Sequence, residues 1–465
     1  MSLVAAPVTV DEQHLDEQHL DELRALTTGT LHTPADPTWD QVRTPWVVNV
    51  EQTPLAVLEV ASADDVVAAV RWAAARGRQV SAQPSGHGAT GRMDQVLLLR
   101  TRALDEVTVD RGRRTAWVGA GVKARELLEA LEGTGLTFLA GSNPDPSVVG
   151  MTITGGISWF GRRYGVGADS IRSVELVDGT GRLRTVSSAE DPALFWALRG
   201  GGGDFGIITR VELDLHPAPQ LYGGRLLWPA TQTREVLRAF AEVTRTAPRE
   251  LTVWFHAYQF PPFEEVPEPI RGKAFASVAV AHLGSAEDAE ELLAPFRALP
   301  GPAMDLMGDV PLSALGSIAD EPTDPTPALE HSWLLDRVDD ELVERVAAVL
   351  DAGTPLAAIQ IRHLGGAFTD VRPDQGSHGP VPEPYSLFAL GIPAVPELVD
   401  PIVATFDRLG EAVEEHTSGR TLLNFLGSHG DPARWWSEAT RDRLVLAKAA
   451  SDPAFVIRSN RPVSG

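Results

Sequence analysis

An α+β fold in two lobes follows from three observations on this 465-residue chain. Over residues 1–218 short strand-type and helix-type runs alternate, separated by glycine-rich loops. Over 219–415 the strand-type runs become long and are spaced by helices, which predicts an antiparallel sheet with helices covering one face. From 416 to 465 the chain regains the character of its first part, so a discontinuous first lobe is expected.

In chain order, the tandem Asp-Glu-Gln-His-Leu at 11–15 and 16–20 reads as a helical segment. Its His14 and His19, five residues apart, diverge on a helix surface and are not expected to bind metal. Ser62 with Asp65 predicts a helix start, Val66, Val67, Val70 and Ala74 its apolar face, and Gly77 its end. A strand at 79–82 runs into Pro84-Ser85-Gly86-His87-Gly88. Strands at 96–99, 106–109 and 115–118, a helix from near Val122, and further runs at 174–177, 193–198 and 211–215 complete the first part. The second part offers strands at 252–260, 274–282, 357–364 and 386–392, with helices at 287–298, 341–350 and 403–415. Proline-rich stretches at 261–269, 322–327 and 376–384 read as surface loops.

Hydrophobic residues at 43% against 22% charged fit a globular protein. The net charge of −23 repels phosphate backbones and anionic lipid, so neither nucleic acid nor membrane is an expected partner. No run approaches the roughly 20 apolar residues a bilayer span needs, and no basic-then-apolar leader opens the sequence, so cytoplasmic residence is the expectation. The absence of cysteine excludes disulfides, thiolate metal sites, cysteine nucleophiles and thioether links. No metal site is expected, and any redox chemistry must come from a bound cofactor.

Glycine clusters dominate the first half: Gly86-His87-Gly88, Gly119-Ala120-Gly121, Gly150, Gly155-Gly156, and Gly200 to Gly203 followed by Asp204-Phe205-Gly206. Several such loops in one lobe suit an extended dinucleotide, because glycine lets main-chain amides approach phosphate closely. Taken singly, each also reads as a turn. None forms a G-x-G-x-x-G between strand and helix, so nothing favours ordinary NAD binding.

Their order and spacing resemble the FAD-binding domain of the vanillyl-alcohol-oxidase flavoprotein family, in its berberine-bridge-enzyme-like branch. The matching segments are Ser85-Gly86-His87, Gly150 to Gly156, Arg163 to Asp169, Leu194 to Thr209, Leu423 to Leu426 and Lys448 to Pro453. The resemblance runs in order over almost the whole chain and implies a two-lobed PCMH-type FAD-binding domain plus a substrate domain. It also implies a covalent bond from His87 to the flavin 8α-methyl carbon; the alternative is a histidine that only hydrogen-bonds in its turn. Many relatives add a cysteine link near the position of Pro146, which this cysteine-free chain cannot make. Gln83 and Ser85 replace the family's usual arginine and first glycine.

By the same resemblance Pro84, Gly88, Ala89, Gly141 and Gly150 belong to the FAD cradle. Thr154, Gly155, Gly156 and Ser158 should bring main-chain amides to the pyrophosphate, Ile208 should pair with adenine through its backbone, and Asn424 should contact the flavin ring. Leu422 stands where many relatives have a tyrosine that helps deprotonate substrate. In the strand before Gly365-Gly366, Gln360 and Arg362 share one face and His363 takes the other. Candidate bases are His363, His256, Tyr258 and Tyr385, each alternatively cavity lining. Arg362 either holds an anionic group of the substrate or pairs with an acid.

The expected activity is FAD-dependent oxidation of a small organic molecule, a sugar, alkaloid, polyketide or other secondary metabolite, with hydride passing to flavin N5 and O2 as reoxidant. Two alternatives stand beside it: a flavin-containing cyclase or rearrangement enzyme without net redox change, and a flavin-free binding protein.

Overall fold

A computed structural model describes residues 10–463 apart from 263, 265 and 429, with side chains described from residue 17. The tandem repeat falls in the helix Val10–Leu26, and the side chain of His14 lies outside the described residues.

The first lobe holds two sheets. In the smaller, Thr30–His32 pairs antiparallel with Ala56–Glu59, which runs parallel to Leu97–Arg100, which in turn runs parallel to Val80–Ala82. The helix Ala63–Ala75 makes the crossover that parallel strands require. Ser62 caps it by accepting from the Asp65 N–H, and Gly77 leaves it at φ +61°. The second sheet is antiparallel, with Val107–Asp110, Thr115–Gly119, Ile207–Asp214, Ile171–Val177 and Leu183–Ser187 side by side in that order.

The large sheet has eight antiparallel strands. Met304–Asp305, Tyr222–Pro229, Ala274–His282, Leu251–Gln259, Leu356–His363, Tyr385–Gly391 and Leu329–Leu335 lie in that order, and Gly308–Asp309 adds to Tyr222–Pro229. Side chains alternate across it. Val253, Phe255 and Ala257 pack with Phe240, Val346 and Leu409 of the helices Thr233–Thr246, Asp340–Asp351 and Val399–Val413. The opposite face meets the first lobe, where Trp254, Ala279 and Leu334 join the core formed by Val174, Val211 and Leu198.

The C-terminal segment packs on the first lobe. Val456 and Ile457 enter the core of the small sheet, and Ile457 bridges Val80 in parallel. Buried Lys448 donates to the carbonyls of Asp204 and Ile457 and to the Asp452 carboxylate, at 2.7, 2.6 and 2.7 Å.

Three expectations need correction. The helix expected at 287–298 is broken into Ala286–Leu292 and Ala294–Arg297, because Pro295 removes an N–H donor and crowds the preceding turn. Strands Tyr222–Pro229 and Leu329–Leu335 were not among the expected elements. The proline-rich stretches 322–327 and 376–384 are not plain surface loops. Pro322 accepts from Asn143 at 2.8 Å, the Thr326 N–H donates to the Trp46 carbonyl at 3.0 Å, and buried His378 meets Asp169 at 2.9 Å. Among the described residues no helix is long and apolar enough to cross a membrane, and no cluster of three or more His, Asp or Glu could hold a metal.

Candidate functional site

A long cleft between the lobes encloses about 2110 Å³ of space not filled by atoms, its open mouth included. Its floor comes from the 84–88 and 141–150 loops, its roof from the large sheet, and one end from Leu423, Asn424 and residues 458–461. Of the expected cradle residues, Pro84, Ser85, Gly86, His87, Gly88, Gly141, Gly150, Thr154, Ile208 and Asn424 line it.

The loop around His87 is fixed by close packing. Gly86 sits at φ +91°, and a Cβ there would lie 2.6 Å from Pro45 Cβ and 2.9 Å from the Trp46 nitrogen. Only glycine satisfies both demands. The Trp46 indole stacks on the His87 ring with centroids 4.3 Å apart, and Ser85 Oγ lies 2.9 Å from His87 Nδ1. His87 Nε2 is buried without a partner, 3.8 Å from Asp145 Oδ2. Burial draws the imidazole down to about 4, with Asp145 opposing and Lys123 assisting, so the ring is neutral near pH 7.

The pyrophosphate expectation is changed in its donors. Gly155, Gly156 and Ser158 do not line the cleft, and neither does Ala89, which packs with Val47, Val50 and Ala328. The Gly155 N–H donates to the Thr152 carbonyl at 3.1 Å and the Gly156 N–H to Asn424 Oδ1 at 3.1 Å. Ser158 is buried, its Oγ accepting from the Phe160 N–H. These glycines serve close packing instead: a Cβ on Gly156 would meet Gly167 Cα at 3.0 Å. The free donors lie elsewhere. The main-chain N–H groups of Gly86, His87, Gly88, Gly141, Ser142 and Asn143 donate to nothing among the described residues, and all six residues line the cleft. Unpaired amides on two facing loops form a concavity suited to anionic oxygens, and the buried Gln83 Nε2 is a further unpartnered donor.

On the roof, register sets the arrangement. Gln360 pairs with His256 on one side and Phe388 on the other, and Arg362 pairs with Trp254 and Ser386. Gln360 and Arg362 both face the cleft. Arg362 Nε and Nη2 donate to Gln360 Oε1 at 3.0 and 2.6 Å. Its guanidinium lies 4.2 Å over the Trp254 ring and 4.5 Å over Phe425, with Glu321 3.6 Å away.

The four candidate bases do not line the cleft. His363 turns to the helix side, where Nε2 accepts from Arg162 Nη1 at 2.8 Å. Burial and that cation hold the ring well below its usual value. Tyr385 shares that side, its hydroxyl 2.8 Å from Thr244 Oγ1. His256 and Tyr258 share the face of Gln360 but are not among the residues lining the cleft; their rings stack at 5.1 Å and His256 is fully buried. Burial depresses the imidazole and raises the phenol.

Sequence reasoning missed the acids of the cleft, Glu321 and Glu330. Glu321 accepts from Ser142 Oγ at 3.0 Å. The carboxylate of Glu330, on the unanticipated strand Leu329–Leu335, makes no hydrogen bond or ion pair among the described residues. Burial lifts its carboxyl to about 7; Arg461 and Arg362 oppose the shift and Glu321 reinforces it. Only the short apolar run Trp333-Leu334-Leu335 hinted at this strand, and nothing local pointed Glu330 at the cleft.

Fold and cleft define a class: a two-lobed protein with the fold of berberine-bridge-enzyme-like proteins, part of whose first lobe is similar to an FAD binding domain. Residues 54–187 match the family model described as FAD binding domain. The chain is 29% identical over 269 residues to (R)-6-hydroxynicotine oxidase of Paenarthrobacter nicotinovorans, covering 57% of each chain. It is 31% identical over 214 residues to the FAD-linked oxidoreductase azaL of Aspergillus niger, covering 45% of each. The matched stretches thus span about half the length of these curated relatives. Among solved structures, Physcomitrella patens BBE-like 1 superposes with TM-score 0.84 at 17% identity, covering 96% of this chain and 98% of the other. The 6-hydroxy-D-nicotine oxidase of Arthrobacter nicotinovorans superposes with TM-score 0.80 at 23% identity, covering 93% and 97%.

Proposed function

We propose that the protein is an FAD-dependent oxidoreductase acting on a small organic molecule, with its flavin attached through His87. The observation that carries this reading is the cleft itself, where unpaired main-chain donors on two loops face a roof of Gln360, Arg362 and Glu330. Bound there, FAD supplies a two-electron acceptor for substrate hydride and a route for those electrons to dioxygen. The chain's residues do the rest. The 86–88 and 141–143 amides hold the diphosphate, Ile208 borders the adenine end, and His87 anchors the ring.

Arg362 and Gln360 act together on the substrate. The Gln360 carbonyl oxygen is occupied by Arg362, so its amide N–H₂ group is the part turned to a ligand, beside a guanidinium already oriented by two aromatic rings. Both are donors, which suits a substrate oxygen that gains negative character as it is oxidised. Glu330 takes the proton. It is the unpaired carboxylate of the cleft, and its value of about 7 suits proton transfer near neutral pH.

The decisive experiment combines the intact mass of the denatured protein with its visible spectrum. Wild type should carry the mass of one FAD and His87→Ala should not. Anaerobic addition of sugars, alkaloids and polyketide alcohols should bleach the flavin with at least one class. Turnover with an unchanged spectrum would instead support rearrangement, and a colourless protein that binds no FAD would sink the reading.

A further inference from the structure

The wall behind His87 holds an arrangement that flavin binding alone does not require. Asp145 is almost wholly buried, and its two oxygens have different environments. Oδ1 is taken by Lys123 Nζ and by Arg125 Nη1, the latter at 3.0 Å. Oδ2 faces His87 Nε2 at 3.8 Å, and Nε2 is buried with no hydrogen-bond partner. A movement of roughly 1 Å brings the pair into hydrogen-bond range. The ring has little freedom to turn away, because Trp46 covers its face and Ser85 engages Nδ1 at 2.9 Å. The Asp145 backbone is pinned in turn by the Asn143 side chain, which accepts its N–H at 2.8 Å. The charged and titratable groups around the imidazole are therefore Asp145, Lys123 and Arg125.

From this geometry we infer that Asp145 is a positioning residue for covalent flavin attachment: it holds the proton of His87 on Nε2 and leaves the Nδ1 lone pair free to form the bond. The inference rests on the His87 link proposed above. The logic is that of a base oriented by a carboxylate, with the imidazole acting as nucleophile. Before coupling, the Ser85 hydroxyl donates to that Nδ1 lone pair and must turn away as the bond forms. As the ring nitrogen bonds the flavin 8α carbon, positive charge grows on the imidazole, and Asp145 stabilises it from the far side.

The chemistry balances. The N–C bond forms from the Nδ1 lone pair, one C–H bond of the 8α-methyl group breaks, and the Nε2 proton passes to Asp145 Oδ2 and from there to solvent. The two electrons and two protons released pass to dioxygen, which departs as hydrogen peroxide.

The test uses full-length protein produced without flavin, then mixed with FAD in air. Bound FAD is read by absorbance after desalting, and coupled FAD by denatured mass over time. Asp145→Asn should bind FAD but couple about 100-fold more slowly, and Asp145→Glu should recover part of the rate. Lys123→Met keeps the carboxylate and removes one competing cation, so it should couple at least as fast as wild type. Coupling of Asp145→Asn at the wild-type rate overturns the proposal and leaves the His87 link standing. A loss in Lys123→Met equal to that in Asp145→Asn assigns the effect to packing and overturns it too. Wild type that binds FAD without gaining mass rejects the link, and the role of Asp145 with it.

Discussion

The side chain of Asn424 accepts a hydrogen bond from the backbone N–H of Gly156 at 3.1 Å, across 268 residues of sequence. The amide group of Asn424 donates to Thr154 Oγ1 at 2.7 Å and to the Met151 carbonyl at 3.1 Å. One side chain thus ties the returning C-terminal segment to the glycine turn that ends the helix Val148–Ile153. Asn424→Ala leaves a main-chain donor unpaired, so a loss of about 1–3 kcal/mol is expected. Thermal unfolding measures it, and a midpoint equal to wild type would remove this tie from the account.

Gly86→Ala should be far more damaging than its one added carbon suggests. The positive φ and the contact with Pro45 and Trp46 act together, so the loop must shift and carry His87 with it. Strain of about 1–3 kcal/mol is expected from the backbone alone. The expected readout is loss of flavin colour from protein that keeps its secondary structure by circular dichroism. Gly301→Ala is the control, since Gly301 lies outside the cleft lining and a Cβ at that position meets nothing within 4 Å.

Glu330 is expected to govern two pH profiles. As the proposed proton acceptor it must be ionised, so kcat/KM should rise with pH through about 7. Glu330→Gln should flatten that limb and lower the plateau by about 100-fold. For stability the sign is opposite. A carboxyl whose folded value lies above its unfolded value of 4.5 contributes stability in its protonated form, and that contribution disappears as pH rises through about 7. Relative to wild type, Glu330→Gln should therefore unfold at higher temperature at pH 8 but not at pH 4. A variant with the wild-type pH–rate profile would end the assignment.

His363 provides the counter-test. It faces Arg162, whose guanidinium also donates to the carbonyls of Leu251, Ala247 and Pro248 at 2.7, 2.9 and 3.1 Å. His363→Gln should lower the melting temperature while leaving the pH dependence of flavin reduction unchanged. A missing ionisation in the rate profile would return the base to His363 and contradict its place behind the sheet.

Much of this protein is determined by local sequence. Ser62 and Gly77 bound their helix because capping and positive φ are local demands, and the strand at 274–282 follows from a continuous run of apolar residues interrupted only by Ser277. The resemblance carried by the His87 loop and the glycine runs led to the expectation of an FAD site, and the absence of cysteine excludes a thioether link.

The arrangement of the cleft roof was decided by tertiary structure. Alternation along Leu356–His363 separates Gln360 and Arg362 from His363, but it does not say which face meets the first lobe. That choice depends on which face the helices cover. Likewise, Gly156 looks like a phosphate donor until Asn424, distant in sequence, takes its N–H. Glu330 and Asp145 carry no local mark of function. Their character comes from burial and from the charges packed around them, and those are set only when distant segments close on one another.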